Sequence, residues 1–273
     1  MPASKKTKAQ AAPLYPPVTI SEYEGVRYLH LGSIWVQGAM RLRAPDIVEL
    51  DYVQRMLASL LWLPSATLGQ GLAVQLGLGS GAVTRFTHGP LQMRTLAVEL
   101  NPMVIDAARL WFRLPEDGDR LQVLRMDALQ WLQQAAPAQA SLLHVDLYDQ
   151  DAAAPVLDDE TFYAACRRLL APGGVMSVNL FGRHASFAAS AARIAAVFGA
   201  SQVWSLRPTR EGNTVVIAGR DLAVPDREEL VARADTLDRR FRDAGLPAKK
   251  WLRMVRPYTA PSAAAATTQE TTA

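Results

Sequence analysis

The chain has 273 residues, a formal net charge of +3, and 49% hydrophobic residues. This length and composition suit one large α/β domain with a small additional sheet. No apolar run reaches the roughly 18 residues of a membrane helix, and the N-terminus lacks the apolar core of a signal peptide. We therefore expect a cytoplasmic protein with no membrane partner.

Both ends of the chain are predicted to be disordered tails. Residues 1–17 are basic and rich in Pro and Ala, and residues 257–273 have low complexity. Such segments bury too little apolar surface to fold. Because the net charge is small and the basic residues are concentrated near the two ends, we expect no nucleic-acid partner.

Residues 18–64 are predicted to form a small antiparallel β appendage followed by a helix. Three β-type runs, VTISEY, VRYLHLG and SIWVQGAM, are separated by glycines. An amphipathic helix is then predicted over residues 46–63, with an acidic residue in its first turn and Pro64 at its end.

Residues 65–256 are predicted to form the main domain. Apolar strand patterns alternate with helical patterns along this region. The strand patterns are LAVQLGL, RTLAVEL, LQVLRM, SLLHVDL, VMSVNLF, ASQVWSL and NTVVIAG. Such alternation predicts a largely parallel sheet with helices on both faces.

The first two strands of this domain carry the pattern of a nucleoside site. The first runs into Gly77, Gly79 and Gly81, and the second ends at Glu99. Glycines let the backbone approach a ligand closely, and an acid roughly 20 residues later can accept hydrogen bonds from ribose hydroxyls. The spacing is GxGxG and no Lys-Ser/Thr pair follows, so the pattern favours an adenosyl sulfonium ligand over a dinucleotide and excludes a Walker loop.

Acidic residues follow the later strands of the predicted sheet. Asp127 follows the third strand, Asp146 ends the fourth, and Asp149 comes three residues later. In open α/β sheets the ligand lies beyond the carboxyl ends of the strands, so these acids indicate a pocket for a cation. A carboxylate at position 146 could take a proton from an attacking amine, and one at position 149 could hold the cationic end of the substrate.

The histidines and the cysteine do not indicate further chemistry. His30, His88, His144 and His184 are scattered, with no two at metal-ligand spacing, so no metal site is predicted. Cys166 is the one cysteine in the sequence and lies in the helical pattern FYAACRRLL, which predicts a buried, unreactive thiol.

The region from about Tyr23 to Gly219 resembles the spermidine synthase (polyamine aminopropyltransferase) family. The motifs that carry the resemblance are VQLGLGSGA, AVELNP, RMDALQWL and HVDLYD. The resemblance implies a Rossmann-like class I methyltransferase fold. It also implies transfer of an aminopropyl group from decarboxylated S-adenosylmethionine to a polyamine acceptor such as putrescine, without a metal.

The resemblance also implies roles for individual residues. Asp146 would accept the proton, Tyr52 and Asp149 would orient the amine, and Tyr148 would line the pocket. The methylthioadenosine part of the donor would be held by Gln37, Glu99, Asp127 and Ala128.

Two residues depart from the pattern of the family at the amine side of the site. Ser80 stands where the family has an acid in the glycine loop, and Val53 stands where it has histidine. Replacing both by the residues of the family is expected to improve the recognition of putrescine. Two alternatives stay open: a methyltransferase that uses S-adenosylmethionine, and a non-catalytic nucleoside-binding homologue. The sequence does not decide the oligomeric state, for which a homodimer is one alternative.

Overall fold

The computed structural model describes residues 15–147, 157–181 and 184–260. Within these ranges the strands form two sheets. The N-terminal sheet is an antiparallel meander of β1 (Val18–Tyr23), β2 (Val26–Leu31) and β3 (Val36–Arg41). This is the predicted β appendage, whereas the division of the chain into domains at residue 64 stays a prediction.

The larger sheet has eight strands in the described part of the chain, in the order β11-β9-β10-β8-β7-β4-β5-β6. Strands β6, β5, β4, β7 and β8 pair in parallel. Strand β10 is antiparallel to both of its neighbours, so β9 runs in the same direction as β8. The strands are β4 (Leu72–Leu76), β5 (Arg94–Glu99), β6 (Leu121–Arg125), β7 (Ala140–Val145), β8 (Leu170–Phe181), β9 (Val203–Leu206), β10 (Asn213–Gly219) and β11 (Val255–Pro257).

Helices cover both faces of this sheet and confirm the predicted fold class. They are α1 (Asp51–Met56), α2 (Ala82–His88), α3 (Pro102–Phe112), α4 (Ala128–Gln134), α5 (Glu160–Leu169), α6 (His184–Phe198), α7 (Arg227–Arg240) and α8 (Ala248–Trp251). One apolar core contains residues of α1, α7 and α8, and a second contains residues of α4, α5 and α6. None of the helices in the described ranges is long and apolar enough to cross a membrane.

Helix α3 begins as its sequence predicts. The side chain of Asn101 accepts a hydrogen bond from the backbone N–H of Met103 at 3.0 Å, and Pro102 occupies the first helical position. An Asn cap followed by Pro fixes the helix start, because proline lacks the N–H that would be unpaired there. Glu99 consequently remains at the end of β5 and outside the helix.

The prediction of a helix over residues 46–63 is wrong at its start. The α-helix begins at Asp51, and residues 57–62 continue it as a 3₁₀ helix. The backbone N–H of Val48 donates to the carbonyl oxygen of Ala244, and the carboxylate of Glu49 pairs with Arg41. These contacts with distant segments hold residues 48 and 49 out of the helix.

The predicted boundary of the C-terminal tail at residue 257 is also wrong. Strand β11 ends at Pro257 and pairs with β9, and the N–H of Tyr258 donates to the carbonyl oxygen of Val203 at 2.9 Å. The pairing partner lies about fifty residues away, beyond the reach of a local pattern. Residues 1–14 and 261–273 lie outside the described ranges.

The N-terminal sheet is joined to the main sheet by apolar packing and by one partly buried arginine. Leu29 and Met40 pack against Ala107 and Phe112 of α3. Arg85 of α2 donates to the carbonyl oxygens of three separate segments, which belong to Ser80, Phe112 and Pro45. Burial lowers the pKa of Arg85 to about 10, which leaves the guanidinium charged at neutral pH.

Candidate active site

The glycine loop and Asp146 meet where the order of the sheet reverses. Strand β4 lies between β5 and β7, so the chain leaves it on one side and later returns on the other. The hydrogen bonding continues past the strand ends, from the N–H of Gly77 to the carbonyl of Val98 and from the N–H of Asp146 to the carbonyl of Leu76, each 2.9 Å. Ligands of open α/β sheets bind at such a reversal.

Two glycines of the loop are required by its geometry. Gly77 has a φ of +84°, and a Cβ at this position would overlap the backbone carbonyl oxygen of Asp146. Gly81 has a φ of +72° and precedes the first residue of α2. Residues other than glycine rarely adopt this left-handed backbone conformation, so both positions favour glycine. The close approach at Gly77 places the end of β7 directly against the loop.

Glu99, at the end of the neighbouring strand β5, holds the glycine loop by a hydrogen bond. Its Oε2 accepts the N–H of Leu78 at 2.9 Å, and its Oε1 accepts the N–H of Asn101 at 2.8 Å. Burial raises the pKa of Glu99, while N–H donation by Leu78, Asn101 and Leu100 opposes this rise. A carboxylate offers about four acceptor positions, so Glu99 retains capacity for a ribose hydroxyl.

Other predicted nucleoside-binding residues lie around Glu99 and the loop. Asp127 caps α4, its Oδ1 accepting the N–H of Gln130 at 2.9 Å, and Ala128 after it is buried. The N–H of Met126 donates to the carbonyl of Glu99, which places the end of β6 beside that of β5. The carbonyl oxygen of Gln37 lies 3.1 Å from the position of a Cβ at Gly79.

Asp146 faces a cavity of about 600 Å³. Its Oδ1 accepts a hydrogen bond from Nδ2 of Asn179 at 2.9 Å, and the side chain of Tyr52 also hydrogen-bonds to it. Burial raises the pKa of Asp146, and the hydrogen bonds from Asn179 and Tyr52 oppose that rise. Gln37 and Tyr52 line the same cavity, whereas Tyr148 and Asp149 lie outside the described residues.

The charges around this cavity are negative. Glu49, Asp51 and Glu211 line it together with Asp146, and none of its described lining residues is lysine or arginine. Glu49 and Asp51 are paired with arginines outside the lining, at 2.5 Å and 2.7 Å respectively. Carboxylates in a partly desolvated cleft attract a cation more strongly than they would in water.

The polar residues of the cavity that the sequence analysis did not predict include Asn179, Glu211 and Asn213. Asn179 had a detectable signal, because it interrupts the apolar run VMSVNLF near the end of a strand. Glu211 and Asn213 lie in and after the turn that leads to β10, where polar residues are ordinary.

The two departures from the pattern of the family lie in packed surroundings. Val53 is buried in the core with residues of α7 and α8. Ser80 is 2% exposed, and a Cβ on Gly38 would overlap its side chain, so Ser80 packs directly against the backbone of β3. The Oγ of Ser80 has no hydrogen-bond partner among the described residues. The expectation that acidic and histidine replacements here improve putrescine recognition stays a prediction, and the close packing at both positions argues against it.

We expect Ser80→Asp to destabilise the protein rather than to improve it. The larger, charged side chain has no space beside Gly38, and overpacking typically costs about 1–3 kcal/mol. Urea unfolding should show this loss, while Ser80→Ala, which removes an unpaired hydroxyl, should remain within about 1 kcal/mol of the wild type. A Ser80→Asp variant of unchanged stability and lower KM for putrescine would contradict this expectation.

Two buried groups outside the cavity are accounted for by packing. His144 on β7 is fully buried, bonds to Ser177 Oγ through Nδ1 at 2.7 Å, and burial lowers its pKa to about 4. Cys166 is buried on α5, as predicted, and burial raises the pKa of its thiol, which disfavours the reactive thiolate. No group of three or more His, Cys, Asp or Glu side chains suited to a metal occurs among the described residues.

Comparison with known proteins identifies the family. The chain is 33% identical to the polyamine aminopropyltransferase of Chromobacterium violaceum over 228 residues, which cover 83% of this chain and 85% of the relative. The chain belongs to the polyamine aminopropyltransferase family. It is accordingly a transferase of the aminopropyl-transfer class.

Solved structures share the fold of this aminopropyltransferase. A probable spermidine synthase from Corynebacterium glutamicum has a TM-score of 0.69 at 19% identity, covering 91% of this chain and 95% of its own. Human methyltransferase-like protein 13 has a TM-score of 0.63 at 21% identity, covering 80% and 99%. No family model matches the chain.

Proposed function

We propose that this aminopropyltransferase moves an aminopropyl group from decarboxylated S-adenosylmethionine to a polyamine acceptor such as putrescine. The observation that carries the proposal is the placement of Asp146 against the glycine loop, where it faces a cavity lined by carboxylates. The donor carries positive charge at sulfur and the acceptor is an amine, so both suit an anionic site.

The residues of the nucleoside side fit the donor. Glu99 would accept a ribose hydroxyl, and Asp127 with Ala128 at the end of β6 would face the adenine. Support comes from the adjacency of these strand ends and from Gln37, which borders both the loop and the cavity. The methyltransferase-like structural neighbour was solved in complex with SAH, an adenosyl compound of the same class.

In the proposed reaction, Asp146 takes a proton from the acceptor amine. The freed nitrogen lone pair forms a bond to the aminopropyl carbon attached to sulfur, the carbon–sulfur bond breaks, and its electron pair leaves with methylthioadenosine. The sulfonium supplies the leaving group, so no covalent enzyme intermediate is needed. Tyr52 and the carboxylates of the cavity would hold the acceptor in line, which makes positioning and electrostatics the main contributions of the protein.

Product analysis tests the proposal against its alternatives. The purified full chain is incubated with decarboxylated S-adenosylmethionine or S-adenosylmethionine, each with a set of polyamines, and the products are identified by mass. We expect an aminopropylated amine and an equal amount of methylthioadenosine. A methylated product from S-adenosylmethionine alone would assign a methyltransferase instead, and nucleoside binding without any product would assign a non-catalytic homologue.

We expect Glu99→Gln to weaken the binding of methylthioadenosine by about 1–3 kcal/mol, the range for losing a charge-assisted hydrogen bond. It should also lower the unfolding temperature, because the new amide nitrogen would face a backbone N–H of Leu78 or Asn101. Calorimetric titration measures the first effect, with Glu116→Gln at an exposed ion pair as the control. Unchanged affinity would remove Glu99 from the nucleoside site.

A further inference from the structure

A directed chain of side-chain amides ends on Asp146. Asn179 donates from Nδ2 to Oδ1 of Asp146 at 2.9 Å, and Asn213 donates from Nδ2 to Oδ1 of Asn179 at 3.1 Å. Asn179 is 4% exposed on β8, and Asn213 begins β10. Each amide thus accepts on its far side and donates on the side that faces Asp146.

The far end of the chain is fixed by the turn before β10. The N–H of Asn213 donates to Oγ1 of Thr209 at 3.1 Å, and the N–H of Thr209 donates to the carbonyl of Asn213 at 2.8 Å. The hydroxyl of Thr209 also lies within 3.5 Å of Oδ1 of Asn213. The two backbone contacts fix the position of Asn213, and the hydroxyl contact places its amide oxygen towards Thr209, so its Nδ2 faces Asn179.

The direction of these bonds determines the orientation of Asn179. If the Asn179 amide were reversed, its oxygen would face the Asp146 carboxylate and its nitrogen would face the nitrogen of Asn213. Two hydrogen bonds would be lost and like partial charges would meet in a buried place, where unmade hydrogen bonds are costly. Asn213 therefore acts on Asp146 through Asn179.

We infer that Asn179 and Asn213 are positioning residues that hold one carboxylate oxygen of Asp146 and stabilise its ionised form. The inference rests on the proposed role of Asp146 as proton acceptor. An ionised carboxylate is the form that can take the proton of the amine. Fixing one oxygen leaves the rest of the carboxylate for the acceptor.

The other ionisable groups near Asp146 either disfavour its ionised form or carry no charge at neutral pH. The carboxylates around it disfavour a further negative charge, and the histidine on its own strand is buried with a lowered pKa. The side chain of Tyr52 also hydrogen-bonds to Asp146 and opposes the rise of its pKa. In the part of the chain that the structure describes, the titratable side chains around Asp146 are Glu49, Asp51, Tyr52, Glu99, His144 and Glu211.

Substitutions of Asn213 test this chain of side-chain amides without changing Asp146 itself. Asn213→Ala removes the donor to Asn179, and Asn213→Asp replaces it by an acceptor that favours the reversed Asn179 amide. Both changes should raise the pKa of Asp146, so the acidic limb of the kcat profile moves to higher pH. We expect a shift of about 0.5–1 pH unit for Asn213→Ala, equivalent to one neutral hydrogen bond, and a larger one for Asn213→Asp.

The controls separate positioning from general damage. Thr214→Val changes the next residue of β10, which is buried on the opposite face, and should leave the pH profile in place. At a pH well above the limb, kcat of Asn213→Ala should return to near the wild-type value, because the carboxylate is then ionised. A uniformly lower kcat with an unmoved limb in both Asn213 variants would overturn the inference.

A titration that needs no turnover keeps this test independent of the proposed function. The carboxyl carbon of Asp146 is followed by NMR against pH in the wild type and in Asn213→Ala, with Asp146→Asn to assign the signal. A higher pKa of Asp146 in Asn213→Ala than in the wild type supports the positioning role of Asn179 and Asn213, and an equal pKa contradicts it. Absence of aminopropyl transfer by the wild type would contradict the proposed function. The NMR result would still decide whether Asn179 and Asn213 position Asp146.

Discussion

Asp146→Asn is expected to lower turnover by roughly a hundred-fold or more, the usual cost of removing a general base. The substitution keeps the shape of the side chain, and its amide oxygen can still accept from Asn179. It removes the negative charge and the capacity to take a proton from the amine. The loss should therefore appear in kcat, measured by methylthioadenosine release at saturating concentrations of both substrates.

The affinity for methylthioadenosine should be nearly unchanged in Asp146→Asn, because we propose that the nucleoside binds at the neighbouring strand ends. Asp235→Asn provides a matched control, since that aspartate forms a surface ion pair with Lys249. Near wild-type turnover in Asp146→Asn would refute the proposed proton acceptor. A comparable loss in Asp235→Asn would trace the effect to stability.

Gly77→Ala is expected to damage both the stability and the site. The left-handed backbone costs an alanine about 1–2 kcal/mol, and its Cβ would also collide with the carbonyl oxygen of Asp146. Since backbone atoms cannot rotate away, the glycine loop and the end of β7 must separate. A displacement of about 1 Å at a catalytic carboxylate can lower turnover by about a hundred-fold.

Gly173→Ala offers the matched comparison for this prediction. Gly173 has a φ of +78°, close to that of Gly77, but a Cβ there would meet no atom within 4 Å. The difference in unfolding free energy between the two variants therefore measures the collision and not the backbone strain. If both variants unfold at the same urea concentration and retain turnover, the close approach of Gly77 to Asp146 is wrong.

Local sequence patterns were sufficient to predict most of the fold. The strands ending at Glu99 and near Asp146 were predicted to within a residue or two, because buried parallel strands are continuous apolar runs. The cap at Asn101 was likewise readable from neighbouring residues alone. Such features depend on short stretches of chain, where composition decides the conformation.

The features that the sequence did not predict correctly depend on contacts with distant segments of the chain. Residues 48 and 49 were assigned to a helix, but their positions are set by Ala244 and Arg41. The surroundings of Ser80 could not be predicted for the same reason, since they are set by Gly38 on another sheet. A pattern of helical or catalytic residues carries no information about which remote segment occupies the adjoining space.

The arginine that links α2 to three carbonyl oxygens has a consequence for how this protein opens. Its partners belong to the glycine loop, to the end of α3 and to the segment that follows the N-terminal sheet. The Nε of this arginine already has no hydrogen-bond partner among the described residues. Detaching any one of the three carbonyls would leave a further N–H of the guanidinium unpaired, which penalises partial release of the others. We therefore expect the docking of the N-terminal sheet and the order of the glycine loop to be lost together, as one cooperative unit.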